Sequence, residues 1–203
     1  MLKNPQDRRA KRTAMQIKAC MFSLMEHKAI HEISVAEICG ACQINRATFY
    51  DHYRDVFDLV QDMEGDILIR LRELMDSVTP EDTPSQEVSR LFFAFLRQHR
   101  LALRLLLNGE RSREFSRRLD EQIMPFFEGK ARQNYIVPAD MEREFQFALR
   151  FAATGYYRFF LQSMESGEED YGEEARVCAM LSDASLSCLF ERKQERLGNQ
   201  SEL

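Results

Sequence analysis

The chain has 203 residues, of which 44% are hydrophobic and 30% charged, with a formal net charge of −5. That balance excludes a disordered or fibrous chain and leaves length for one or two domains with a buried core. Eight glycines and five prolines, with long stretches free of both, favour helix throughout, and no apolar run approaches the roughly 18 residues a membrane span needs.

The first helix is predicted from about Pro5 to Lys28, with Ala10, Ala14, Ile17, Met21 and Leu24 recurring at helical spacing as one apolar stripe. Residues 1–28 carry seven Lys or Arg against two acids, whereas residues 61–203 carry nineteen against twenty-six. A basic start on an acidic body points to a polyanion met by the first part only; the alternative is a solvated charged tail. No charged-then-apolar leader of secretory type is evident, and the five cysteines make no even, closely spaced disulfide framework. Both predict a cytoplasmic protein.

Ser34 has Glu37 three residues on, the spacing of a capping box, with Ile33 and Ile38 placed as a hydrophobic staple. A helix is therefore predicted to start at Ser34. Asn45 repeats the grammar, flanked by the apolar pair Ile44 and Phe49, so a second short helix starts about three residues after the first ends. Two short helices joined so closely cross steeply, which is a helix-turn-helix over about residues 34–53. Cys39 and Cys42 form a CxxC inside it. No second ligand pair and no preceding strand lie near, so both cysteines read as core packing rather than as a zinc or redox motif.

Residues 8 to about 60 resemble the DNA-binding domain of TetR/AcrR-family transcriptional regulators. The run INRATFYDHY carries the likeness, through Thr48, Phe49 and Tyr50, then His52 and Tyr53, and Leu59 beyond. Two positions depart from the family pattern: Gln43 stands where glycine is usual, and Val56 where a phosphate-contacting lysine is usual. Arg54 is the neighbour able to replace that contact. The resemblance implies an all-α chain of about nine helices. An N-terminal three-helix DNA-binding domain, residues 1–54, would precede a helical ligand-binding and dimerisation domain, residues 55–203.

The candidate DNA contacts are Arg9, Arg12, Thr13, Ser34, Asn45, Arg46, Ala47, Thr48, Tyr50, His52 and Arg54. Arg46 suits a guanine edge with two hydrogen bonds and Ala47 a thymine methyl, while hydroxyl, imidazole and N-terminal guanidinium groups suit phosphates. Arg46 has a competing reading, a surface ion pair with Asp51 or Glu37. Phe49 reads as core.

Asp55 is predicted to cap a long fourth helix, Val56 to about Thr79, with Phe57, Val60, Ile67, Leu71 and Leu74 inward. The TPEDTP stretch, Thr79 to Pro84, punctuates the chain, and Thr83 with Pro84 starts the next helix, whose apolar run stops at Asn108-Gly109. A further helix from about Ser112 should kink or end near Met124, before Pro125. Gly129 and KARQN read as a loop, and Pro138 opens a helix to about Glu165. A last helix is predicted from Tyr171 to about Arg196, after an exposed acidic connection, Ser166 to Glu174.

Small residues align on these last two helices: Ala148, Ala152 and Gly155 on one, and Ala184, Ser185 and Cys188 with Leu181 on the other. Small residues in register let helix axes approach closely. The pair therefore reads as half of an intermolecular four-helix bundle closing a homodimer, as the resemblance implies; the alternative is packing within one chain. Phe92, Phe95, Met124, Phe127, Phe147, Phe151 and Tyr156 are candidates for lining an effector pocket, with Phe126, Tyr157 and Met164 nearby in the same half; equally, they fill a core.

An enzyme is not predicted. His27, His31, His52 and His99 form no metal-ligand pair, and no glycine-rich phosphate cradle or nucleophile elbow is present. Nothing calls for a metal or cofactor. The function expected is a TetR-type repressor that binds a palindromic double-stranded DNA operator as a homodimer and is released by a small-molecule effector. The alternative is a helical module for a protein or lipid partner, its helix-turn-helix merely architectural. Selective, salt-sensitive binding to a palindrome separates the two.

Overall fold

The computed structural model describes residues 8–78, 83–107, 112–166 and 172–193. Among them the chain forms nine helices: α1 (Arg8–Met25), α2 (Val35–Cys42), α3 (Arg46–Tyr50), α4 (Val56–Ser77), α5 (Ser85–Gln98), α6 (Arg100–Leu107), α7 (Ser112–Asn134), α8 (Glu142–Ser166) and α9 (Gly172–Ser187). Short 3-10 turns at Ile30–Glu32 and Ala139–Met141 precede α2 and α8. The all-α expectation holds but for one small feature. Strands β1 (Tyr135–Ile136) and β2 (Glu191–Arg192) pair antiparallel, Tyr135 opposite Arg192. The chain divides into two compact units, one of residues up to Ile69 with 101–117, the other of 70–100 with the residues from Arg118 on.

In the first unit, α1 packs on α2 and α2 on α3. The inward stripe of α1 is Ala10, Ile17, Met21 and Met25, and that of early α4 is Val56, Leu59, Val60, Met63 and Ile67. Phe57, expected inward, is 49% exposed. One residue beyond Val56 lies about 100° further round a helix, so the stripe that carries Val60 and Ile67 turns Phe57 outward. Lys18 of α1 bonds both Asp62 (2.8 Å) and Asp66 (2.6 Å) of α4, and the Tyr53 hydroxyl donates to Asp62 (2.9 Å). The base of α4 is thus tied to α1 and to the residues that follow α3.

In the second unit, α9 packs against α5 and α8. Its core joins Ala131 and Tyr135 to Phe145, Ala148 and Leu149 of α8, and to Leu186 and Phe190. The apolar run expected to be continuous breaks at His99, whose N–H caps the end of α5 and whose ring packs on Phe95 at 4.6 Å. Pro125 does not end α7, which runs through it to Asn134 and takes in Gly129 and all of KARQN, so the loop expected there is helix. The proline forfeits one backbone hydrogen bond, and the buried Leu119, Ala131 and Tyr135 on either side hold the chain in line. Pro84 precedes Ser85 with no side-chain cap, so Thr83 does not serve as one. The last helix stops at Ser187, ahead of a turn and β2. Lying outside the described residues are the expected helix start at Pro5, Thr79 to Asp82, the Asn108-Gly109 stop, 167–171 of the acidic connection and the stretch to Arg196. The side chains of Tyr157 and Met164 lie outside them too.

Candidate nucleic-acid interface

Helix α2, which leads into the turn, begins with the cap read from sequence. The Ser34 hydroxyl accepts from the Glu37 N–H (3.3 Å), while a Glu37 carboxylate oxygen accepts from the Ser34 N–H (2.9 Å). Lys28 closes on the same carboxylate. That ammonium, then the Ser34 N–H and hydroxyl, hold the Glu37 carboxyl down at about 2. Ile33 and Ile38, the staple pair, are both buried.

The α2 end is closed from two sides. Gln16 of α1 donates its side-chain N–H to the Cys42 carbonyl (2.7 Å). Gln43 adopts a left-handed conformation, φ 54° and ψ 42°, and turns the chain so that the Ile44 N–H reaches the Cys39 carbonyl (3.0 Å). The position usual for glycine thus keeps its left-handed backbone with a side chain on it. Cys39 and Cys42 are buried, and burial, with Cys20 alongside, pushes the Cys42 thiol up to about 12. It is a protonated packing group at neutral pH.

Asn45 then opens α3 in extended conformation, its side-chain oxygen accepting from the Thr48 N–H (2.7 Å). Phe49 is 0% exposed and anchors the short helix, with its ring edge-on to Tyr50 at 5.6 Å and tilted to Tyr53 at 5.8 Å. With Phe49 buried, Asn45, Arg46, Ala47 and Tyr50 are left exposed, and Thr48 and His52 half-buried. Arg46 forms no hydrogen bond or ion pair with any described residue, so the ion pair weighed from sequence is not made; Glu37 is taken by Lys28 and Ser34.

The remaining candidates sit at the edges. Arg9 and Arg12 are exposed on the first turns of α1, and the Thr13 hydroxyl donates back to the Arg9 carbonyl (3.0 Å). Arg54 is held by Asp58 through its guanidinium (2.8 Å) and backbone N–H (2.9 Å), so its charge is partly answered within α4. Val56 is buried, and its position would offer a phosphate nothing. Sequence reasoning missed Gln16, Lys18, Asp62 and Asp66, which set this framework. The available signal was a lysine placed beside the buried Ile17 and two aspartates four residues apart.

The pocket and dimer candidates fall in the second unit, and the structure separates them. Phe127 and Tyr156 line a cavity of about 60 Å³. Phe92 stands behind Phe127 at 5.6 Å, Phe95 packs on His99, and Met124 rests on the core. Phe147 and Phe151 do not line it: they are 72% and 69% exposed. The face of α8 that buries Phe145, Ala148 and Leu149 leaves 147 and 151 on the opposite side. By the same geometry Ala148 is buried and Ala152 lines the cavity, so neither lies on the outward face, while Gly155, Leu181, Ala184 and Cys188 do. Ser185 is half-buried and donates to the Ser182 carbonyl (2.8 Å). Among the described residues no three His, Cys, Asp or Glu side chains gather as a metal site, and no helix is long and apolar enough to cross a membrane.

No family model matches the sequence, and no curated protein does. Solved structures do match. A TetR transcriptional regulator from Streptococcus agalactiae 2603V superposes with a TM-score of 0.63 at 19% identity, over 92% of this chain and 98% of its own. A structure named as the dihydroxyacetone kinase operon activator DhaS gives 0.58 at 19%, over 88% and 98%. The fatty acid degradation regulator FadR from Bacillus halodurans gives 0.56 at 15%, over 90% and 96%. At these identities the likeness is one of fold: along most of its length the chain has the fold of TetR-family regulators, of which the resemblance in residues 8–60 covers only the first part.

Proposed function

We propose that the chain is a DNA-binding transcriptional regulator of TetR type that binds a pseudo-palindromic operator as a homodimer. The reading is carried by the exposed start of α3. Asn45, Arg46 and Ala47 stand clear on a helix pinned by Phe49 and aimed by a three-residue turn, and Arg46 is uncommitted to any described carboxylate. That is the arrangement a recognition helix needs in a major groove. Arg46 reads a base edge, while Arg9, Arg12, Thr13, Ser34, Thr48, Tyr50, His52 and Arg54 serve the phosphates. Residues 1–54 form the reading head and 55–203 the regulatory and dimerising part. The names of the solved neighbours support regulation as the common role.

Two copies would place their α3 helices in successive major grooves, about 34–36 Å apart or somewhat more. Repression is the proposed sign, because such a dimer occludes a promoter, and a small molecule held in the second unit releases it by favouring a conformer of unsuited spacing. Selection of bound duplexes from a random library at near-physiological salt tests the reading. Recovery of an inverted repeat bound at about 10⁻⁸ M or tighter is the expected result. Weak, sequence-blind binding, with or without candidate effectors, would overturn it and leave a helical interaction module.

A further inference from the structure

Helix α3, at five residues, is too short to hold itself in water, so its direction depends on what fastens it. Its start is seated by the Asn45 cap and by packing on α2. Beyond that the buried Phe49 is a single point, and a helix pinned by one side chain can roll about it. A second fastening follows at once. The Tyr53 N–H donates to the Phe49 carbonyl (2.9 Å), and its ring, 4% exposed, lies tilted against that of Phe49 at 5.8 Å. The Tyr53 hydroxyl donates to Asp62 Oδ2 of α4 (2.9 Å).

Asp62 is in turn placed by Lys18. The Lys18 ammonium reaches the same Asp62 oxygen (2.8 Å) and Asp66 (2.6 Å), and its side chain is only 14% exposed. Two carboxylates four residues apart on one helix repel, and the ammonium shared between them offsets that repulsion and holds Asp62 where Tyr53 can reach it. A charge so little open to water is screened less than a surface one. Burial first, and then the charge of Asp62, push the Tyr53 hydroxyl up, so it stays protonated and stays a donor. Lys18, Asp62, Tyr53 and Phe49 thus form a continuous path from α1 through α4 into α3.

We propose that Tyr53 and Lys18 are positioning residues for α3: they fix the direction in which its exposed start, Asn45 to Ala47, is presented, and so set sequence selectivity without touching DNA. Hydrogen bonds to base edges need side chains held in a closely fixed geometry, and they carry sequence information that phosphate contacts do not. The selectivity rests on the DNA-binding reading above; the fastening of α3 does not.

Amide hydrogen exchange on the full chain without DNA tests the fastening. Tyr53→Phe keeps the ring and removes the hydroxyl. Well below its melting temperature, this variant should exchange the amides of residues 51–53 about fivefold faster or more, the loss of one hydrogen bond. Those of Gln43 and Ile44, which close the end of α2, should be unchanged. Lys18→Met should act in the same direction, and Lys18→Arg, which keeps the charge, should stay near the parent chain. Affinities for the selected operator and a scrambled duplex then read selectivity. For Tyr53→Phe their ratio should fall about fivefold or more, with scrambled-duplex affinity unchanged. Unaltered exchange at residues 51–53 in a folded Tyr53→Phe overturns the proposal. So does equal acceleration of the α2 amides, the mark of a contact that serves stability alone, or an unaltered affinity ratio once α3 has loosened. A parent chain that prefers no duplex fails the regulator reading, and the selectivity with it, while the exchange result still decides whether the bridge fastens α3.

Discussion

Arg46 and Arg12 carry the same charge and are both exposed, yet the proposed roles give them different signatures. A guanidinium bidentate to a guanine discriminates by about 1–3 kcal/mol, whereas one on a phosphate contributes equally on every sequence. Arg46→Ala should therefore bring operator affinity towards that for random DNA. Arg12→Ala should weaken both together and lower the slope of log affinity against log salt by about one. Fluorescence anisotropy on operator and scrambled duplexes across a salt series reads both, and an equal loss on the two duplexes for Arg46→Ala removes its proposed role. Glu37 makes a separate prediction, about pH. Its carboxyl is held at about 2 in the folded chain against an ordinary 4.5, so the stability it contributes is complete above pH 4.5 and is lost as pH falls to 2. Glu37→Gln removes that dependence. Between pH 4.5 and 2 the variant's melting temperature should fall less than that of the parent chain. Among the described residues Gln43 is the one outside glycine with positive φ, so Gln43→Gly should stabilise by about 0.5–1 kcal/mol, relief of left-handed strain outweighing glycine's added freedom when unfolded.

At the level of elements, the sequence was legible at most local contacts, the Thr83 cap being an exception. The capping box at Ser34, the cap at Asn45 and the start of α4, where the Asp55 carboxylate accepts from the Asp58 N–H (2.8 Å), each span three residues, and short-range grammar suffices. What was not legible depends on distant partners. Tyr135 pairs with Arg192 far along the chain, with all of α8 and α9 between them, and no periodicity announces a two-residue strand. The passage of α7 through Pro125 likewise depends on what its flanking turns bury. That element makes its own prediction. Pro125 is exposed and costs the helix a hydrogen bond, so Pro125→Ala should stabilise the chain by up to about 3 kcal/mol, read as a higher midpoint in chemical denaturation. No change, or a loss, would mean that proline at this position does not cost α7 the hydrogen bond argued here.

For the molecule as a whole, the question is what covers the outer face of α8 and α9. Phe147, Phe151 and Phe159 recur there at steps of four and eight residues, with Gly155 between the last two, and Val177, Met180 and Leu181 are exposed on α9, Leu181 by 65%. Sequence reasoning placed a dimer seam on these two helices but chose small residues to mark it, two of which, Ala148 and Ala152, face the other way. The alanines and the phenylalanines occupy adjacent registers of one helix, and periodicity does not say which register is inward. A folded chain rarely leaves a contiguous apolar patch beyond a few hundred Å² open to water. Aromatic side chains bury about 150–250 Å² each, so two copies meeting on this face reach the roughly 1,200–2,000 Å² of a stable interface. At Gly155, amid the stripe, an added Cβ would meet nothing within 4 Å, so the chain alone gives no reason for the smallest residue there, whereas a second helix crossing closely would. Phe151→Lys should therefore convert the proposed dimer to a folded monomer, since a side chain 69% exposed adds little to the packing of the described residues. Sedimentation should show halved mass with unchanged helicity, and affinity for a palindrome should fall to that for a single half-site. A variant that remains dimeric would place the seam elsewhere, and one that unfolds would show that this face is held within the chain.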